Sequence, residues 1–217
     1  MQKLNILHKI FPLKARQNEL RRQERTILMK YRNATIEDIH SISELQEKYH
    51  ISTISDEDKA DGFVTTLFTK EQLQELIEKE NGLAIACDGD KVVAYVMAAS
   101  WQYWSAWPLF QFMIKDLPNT EYLGQALSTE NSYQYGPICI HKDYRSTEVL
   151  PNIFEFSRLQ MNKRYPILIT FINQINCRSY EAHTKKLGLD VIKTFEFNNN
   201  RYYELGYDTS KKTTCIS

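Results

Sequence analysis

Arg145 lies in a polar loop, His141-Lys-Asp-Tyr-Arg-Ser-Thr-Glu148, set between an apolar run and a helical pattern. The run Tyr135-Gly-Pro-Ile-Cys-Ile140 reads as a buried strand, and residues 149 to 162 read as a helix. A strand that feeds a loop and then the positive end of a helix forms an anion site that suits a diphosphate. Arg145 adds a fixed cation there. Pro166 stops the helix, and a second buried strand, Ile167-Leu-Ile-Thr-Phe-Ile172, follows at once. Asn173-Gln-Ile-Asn176 leads into another helix, which starts near Asn176 or Ser179 and stops at Lys185-Lys186-Leu187-Gly188.

Taken in this order, these residues resemble the GNAT superfamily of N-acetyltransferases. The resemblance rests on Gly136-Pro-Ile-Cys-Ile140, Tyr144-Arg145, Asn176-Cys-Arg-Ser179 and His183-Thr-Lys-Lys-Leu-Gly188, with a strand through Val191 and Ile192. It implies acetyl-CoA as co-substrate, with the pantetheine arm lying along the strand edge at Ile138, Cys139 and Ile140. The diphosphate would meet the loop Arg145, Ser146, Thr147, Glu148, Val149 and Leu150. Asn176 and Ser179, as helix-start residues, would contact the pantetheine arm. Many family members place a proton-donating Tyr about seven residues after the Asn on the second helix; His183 stands there, with Tyr180 one turn before it. Glu130, Tyr133 and Tyr135 remain open as the base. The family's loop glycines are replaced here by Glu148 and Leu150, and Ser146 stands where a third glycine is frequent. Such a loop is expected to use ordinary residues in helical or bridging conformations.

The remaining chain must supply a sheet to hold this unit. Lys30 to Ala34 reads as an edge strand; Thr35 with Asp38 makes a capping box, and Ile36, Ile39, Ile42 and Leu45 give the following helix one apolar face. A second helix is expected over Lys70 to Lys79. Asp88-Gly89-Asp90 joins two apolar runs, residues 82 to 88 and 91 to 99, in a hairpin. Three tryptophans, Trp101, Trp104 and Trp107, fall within seven residues and can either wall an apolar acceptor pocket or seal the core. The fold class is therefore α/β (α+β), with a GNAT-like, mixed, mostly antiparallel sheet of six or seven strands and helices on both faces.

Charge divides the chain. Residues 1 to 28 hold seven Lys or Arg against two Glu, although the 217 residues together carry a formal net charge of zero. A basic extension, 1–28, is thus separated from a GNAT-like domain, 29–217. The overall balance points away from nucleic acid, and no apolar run is long enough to span a bilayer. Cys87, Cys139, Cys177 and Cys215 have neither paired nor zinc-finger spacing, which suits reduced thiols, a cytoplasmic location and no metal. There is no Gly-x-Ser-x-Gly elbow, phosphate-binding Walker loop or His-Glu-x-x-His helix. The expected function is direct acetyl transfer from acetyl-CoA to a primary amine of a small molecule or peptide. The alternative is a catalytically degenerate GNAT-like domain that binds a ligand or protein. A homodimer is left open.

Overall fold

Residues 29–55, 57 and 62–213 are described by the computed structural model. The basic segment 1–28 and Cys215 lie outside the described residues. The elements run β1 (Met29–Asn33), α1 (Ile39–Lys48), α2 (Lys70–Glu75), β2 (Leu83–Asp88), β3 (Lys91–Ala99), α3 (Trp101–Trp104) and α4 (Pro108–Asp116). A small ribbon of β4 (Glu121–Tyr122) and β5 (Gln125–Ala126) precedes β6 (Ser132–Ile140), α5 (Val149–Met161) and β7 (Ile167–Asn173). The chain closes with α6 (Cys177–Glu181), β8 (Asp190–Phe197) and β9 (Asn200–Asp208).

Seven strands form one sheet in the order β1-β2-β3-β6-β7-β9-β8. All neighbours are antiparallel except β6 and β7, as the apolar runs and the Asp88-Gly89-Asp90 turn imply. The capping box also forms: the Thr35 N–H donates to Asp38 Oδ2 at 2.8 Å, and Arg32 clamps the same carboxylate. Burial on both faces explains why β2 and β3 read as continuous apolar runs. One face packs against Ile42, Leu45, Leu73, Leu76, Trp101 and Trp104; the other packs against Val149, Ile153, Phe154 and Met161 of α5. The helices therefore lie on both sides, and the apolar stripes of α1 and α5 are buried against the strands they must hold in place.

Two features open the sheet at its centre. Strands β6 and β7 pair in parallel over only three positions, from Ser132↔Ile167 to Gln134↔Ile169, and then diverge. Directly after the last paired residues, β6 carries one extra residue relative to β3, because Val96 pairs Ile138 whereas Ala98 pairs Tyr135. Gly136 takes φ +104° at this bulge, a left-handed conformation that a side chain would oppose. Pro137 follows it with no N–H to offer either neighbour. The backbone of residues 138–140 consequently borders a cleft on its β7 side.

Candidate active site

A cavity of about 470 Å³ fills the mouth of this cleft. Its lining includes Ile138, Cys139 and Ile140 from β6, Arg145, Ser146, Thr147 and Leu150 from the loop and the start of α5, and Asn176 and Ser179 from α6. Nine of the residues that the sequence assigns to the coenzyme thus meet in one space. Glu148 and Val149 do not line it. Helical phase explains both: Val149 is buried in the core beneath α5, while exposed Glu148 lies toward Tyr31 of β1, whose hydroxyl it helps to hold above the usual range, after burial. Glu148 therefore does not occupy the cavity.

The loop conformation differs from the helical or bridging geometry expected of it. Ser146 adopts φ +59°, the left-handed region in which glycine is most at ease. The glycine-like turn is kept without the glycine. Its hydroxyl accepts a hydrogen bond from Arg178 Nη2 at 3.2 Å, which ties the loop to α6. Ser146→Gly is expected to stabilise the fold by about 0.5–1 kcal/mol and Ser146→Val to destabilise it by about 1–2 kcal/mol, as urea unfolding would measure. Glu148→Gln should leave coenzyme affinity unchanged within about twofold, since its side chain points elsewhere.

Arg145 acts as a brace. Its Nε donates to the Ile140 carbonyl at 2.9 Å, Nη2 reaches the Gly62 carbonyl at 3.4 Å, and its guanidinium lies 4.8 Å from the Tyr49 ring centroid. Tyr49 in turn accepts the Lys142 N–H through its hydroxyl at 2.8 Å. Thr147 Oγ1 donates to the Tyr144 carbonyl at 2.6 Å and accepts the Val149 N–H at 3.3 Å, closing the first turn of α5. Sequence reasoning missed three further cations that line the cavity: Arg178, Lys185 and Lys186. The Lys185-Lys186 pair was legible only as a helix stop.

The cavity meets a second one, of about 580 Å³. Phe63, Val64, Ile138, Asn176, Ser179 and His183 line both. Asn176 caps α6 by accepting the Ser179 N–H at 3.1 Å, which fixes both residues at the junction. His183 sits in the wide turn Ala182–Lys186 that continues α6, and only 4% of its surface is exposed. Its Nδ1 lies 2.7 Å from the Ser179 carbonyl, so Nδ1 carries the proton and donates it there. Burial lowers its pKa below the usual histidine value, and the bond to Ser179 only partly offsets that effect. Neutral His183 therefore holds a lone pair on Nε2, the configuration of a proton acceptor.

Tyr180 is not brought to this junction. Its ring packs at a tilt against Tyr203 of β9, with centroids 4.4 Å apart, and it lines neither cavity. The widened turn after Glu181 separates its face of α6 from that of His183. The candidate bases also separate: Glu130 is exposed on a turn, Tyr133 is wholly buried, and Tyr135 alone lines the second cavity. Burial raises the hydroxyl pKa of Tyr133 and Tyr135 well above 10. Of the three tryptophans, Trp101 and Trp104 are fully buried, and Trp101 Nε1 donates to Ser132 Oγ at 2.9 Å. Trp107 lines the second cavity. One segment thus both seals the core and walls a pocket.

No protein-family model matches the sequence, and no curated protein is significantly similar to it. Solved structures do match. The yncA protein of Salmonella typhimurium, solved with acetyl-CoA as its cofactor, superposes with a TM-score of 0.54 at 10% identity, covering 87% of this chain and 99% of its own. A ribosomal-protein-alanine N-acetyltransferase from Brucella melitensis gives 0.54 at 14% identity, over 82% and 99%. A GNAT-family acetyltransferase of Streptococcus pneumoniae gives 0.55 at 13% identity, over 83% and 98%. Strand order, the opened β6–β7 seam and these superpositions agree: the fold of this chain is that of the GNAT N-acetyltransferases.

Proposed function

We propose that the protein is an acetyl-CoA-dependent N-acetyltransferase that passes an acetyl group directly to a primary amine of a small molecule or peptide. The observation that carries this reading is the meeting of two cavities at Ile138, Asn176, Ser179 and His183. An anion-suited space and an acceptor-sized space share a junction that holds one neutral, proton-accepting imidazole. The first cavity fits a nucleotide-bearing coenzyme: a β-strand edge at residues 138–140, a left-handed turn at Ser146 and the cations Arg178, Lys185 and Lys186 line one space, with Glu181 paired to Lys185 at 2.7 Å. Acetyl-CoA would supply the acetyl group as a thioester.

The chain's own residues would do the rest. Ile138, Cys139 and Ile140 would offer backbone groups to the pantetheine arm, while Arg178, Lys185 and Lys186 would oppose the phosphates. As the C–N bond forms and the C–S bond breaks, His183 would take the proton that the amine must lose, through Nε2, and return it to the departing thiolate, while Ser179 holds Nδ1 and so fixes the ring. Cys139 is a poor nucleophile: it is 4% exposed, and burial pushes its thiol up to about 12. This supports transfer without an acetyl-enzyme.

Release of coenzyme A thiol on addition of amines tests the proposal. Thiol release that depends on both acetyl-CoA and an amine is the expected result. Tight coenzyme binding with no transfer to any amine would favour the non-catalytic binding domain instead. Cys139→Ala is expected to retain turnover within about threefold while costing about 1–2 kcal/mol of stability from the small cavity it leaves. A loss of turnover matching removal of a nucleophile would overturn direct transfer.

A further inference from the structure

The second cavity joins an aromatic wall to uncharged polar groups. Phe68, Trp107, Phe110, Phe171 and Tyr202 form much of that wall. These rings are knitted together: Phe68 and Trp107 lie 5.6 Å apart, Phe110 and Phe171 5.5 Å, and Phe171 and Tyr202 5.6 Å. Packed in this way, they form a stiff apolar wall. The polar lining residues are uncharged amides and hydroxyls, among them Gln134, Asn173, Asn176, Ser179, Asn198 and Asn200. Gln134 donates its Nε2 to the Tyr135 carbonyl at 2.7 Å, which leaves Oε1 buried with no protein partner among the described residues. Tyr135 Oη is likewise buried with no such partner, and both residues line the cavity. Every described residue of the lining is apolar, aromatic or uncharged at neutral pH, His183 included.

We infer that the acceptor is a monoamine whose nitrogen lies within two or three bonds of an aromatic or bulky apolar group. This rests on the transferase reading of the same site and narrows it. The ring would exchange water for the wall of Trp107, Phe110, Phe171 and Tyr202. Within the second cavity Gln134 Oε1 would offer the amine an acceptor, and His183 Nε2, at the junction, a base. A second ammonium further along the chain would lose its hydration with no carboxylate among the described lining residues to pair it, a cost that cation–π attraction to the rings offsets only in part. Polyamines and lysine-like chains are therefore disfavoured. Two sources share the favoured chemistry: a free arylalkylamine, and a peptide whose first residue is aromatic.

Calorimetry with the full chain, with and without saturating coenzyme A, tests this against 2-phenylethylamine, n-butylamine, 1,5-diaminopentane and the tripeptide Phe-Gly-Gly. The aromatic amine or the peptide should bind at least about tenfold more tightly than either aliphatic amine. Whichever of the two binds more tightly identifies the source. Trp107→Ala should weaken that binding by about fivefold or more without altering coenzyme affinity, and the milder Phe171→Leu should act the same way if the first variant fails to fold. Equal or tighter binding of n-butylamine or 1,5-diaminopentane overturns the inference, as does indifference to both substitutions. Thiol release separates this from the transferase reading. Aromatic binding without release keeps the inference and removes the activity; preferred transfer to 1,5-diaminopentane keeps the activity and removes the inference.

Discussion

His183→Gln is expected to lower the maximal rate by about 10²- to 10⁴-fold while leaving the coenzyme dissociation constant within about threefold of its original value. A single contact fixes the state of the ring. Because Nδ1 donates to the Ser179 carbonyl, the neutral ring presents a lone pair at Nε2, and glutamine cannot reproduce that basicity. Burial lowers the imidazole pKa, so the active neutral form should persist below the ordinary value of about 6.5. The rate should therefore be level above about pH 6.5 and fall only in more acidic solution, and the variant should lose that acidic limb. A profile that instead rises with acid, through a protonated histidine acting as donor, would reverse the assigned role. Stability carries the same sign. The folded pKa is depressed, so the unfolded chain binds a proton that the folded chain resists, and stability is lost as pH falls below about 6.5. Urea midpoints of the parent should thus decline in mild acid more steeply than those of His183→Gln.

The second large effect is expected at the cations. Arg178→Gln combined with Lys185→Gln and Lys186→Gln should weaken coenzyme A binding by about 10- to 100-fold, the range of one or two lost charge-assisted hydrogen bonds. Salt provides the diagnostic. Parent affinity should fall as ionic strength rises, whereas the triple variant should bind weakly at every salt concentration. Dephospho-coenzyme A and pantetheine extend the same test, because the penalty should shrink as phosphates are removed from the ligand. An unaltered penalty with pantetheine would show that the three side chains support the loop rather than face phosphate. Arg145 belongs to a different class: its contacts with the Ile140 carbonyl, the Gly62 carbonyl and the Tyr49 ring make it part of the scaffold. Arg145→Lys, which cannot span the same set, should lower thermal stability as well as affinity.

The parts of the site that could be read from sequence are those that local physics determines. The apolar runs at residues 135–140 and 167–172 mark two buried strands, and Asp88-Gly89-Asp90 marks a hairpin; all three stand where they were expected, while α5 ends at Met161, ahead of the stop expected at Pro166. Asn176 could be recognised as a cap for the same reason, since its side chain serves an amide three residues on. Phase and long-range packing were not legible. Glu148 follows three loop residues that line the cavity, yet the start of α5 turns it toward Tyr31, a residue far away in the chain. The wide turn at residues 182–186 breaks the regular spacing by which Tyr180 and His183 would share a function. Arg178, Lys185 and Lys186 converge on the loop only because α6 packs across the cleft from it, and nothing in their spacing announces that. Ser146 shows the opposite limit: the backbone shape survived a change in the residue type that normally signals it.

The short seam between β6 and β7 has a consequence for handling the protein. A strand that parts from its neighbour exposes a hydrogen-bonding rim, and such rims recruit any extended chain that drifts past. Here the rim lies within the molecule, is only residues 138–140 long and begins after a proline. A coenzyme lying along it would act as a temporary eighth strand. The empty protein should then clump on storage sooner than protein kept with coenzyme A, and light scattering over days would record the difference.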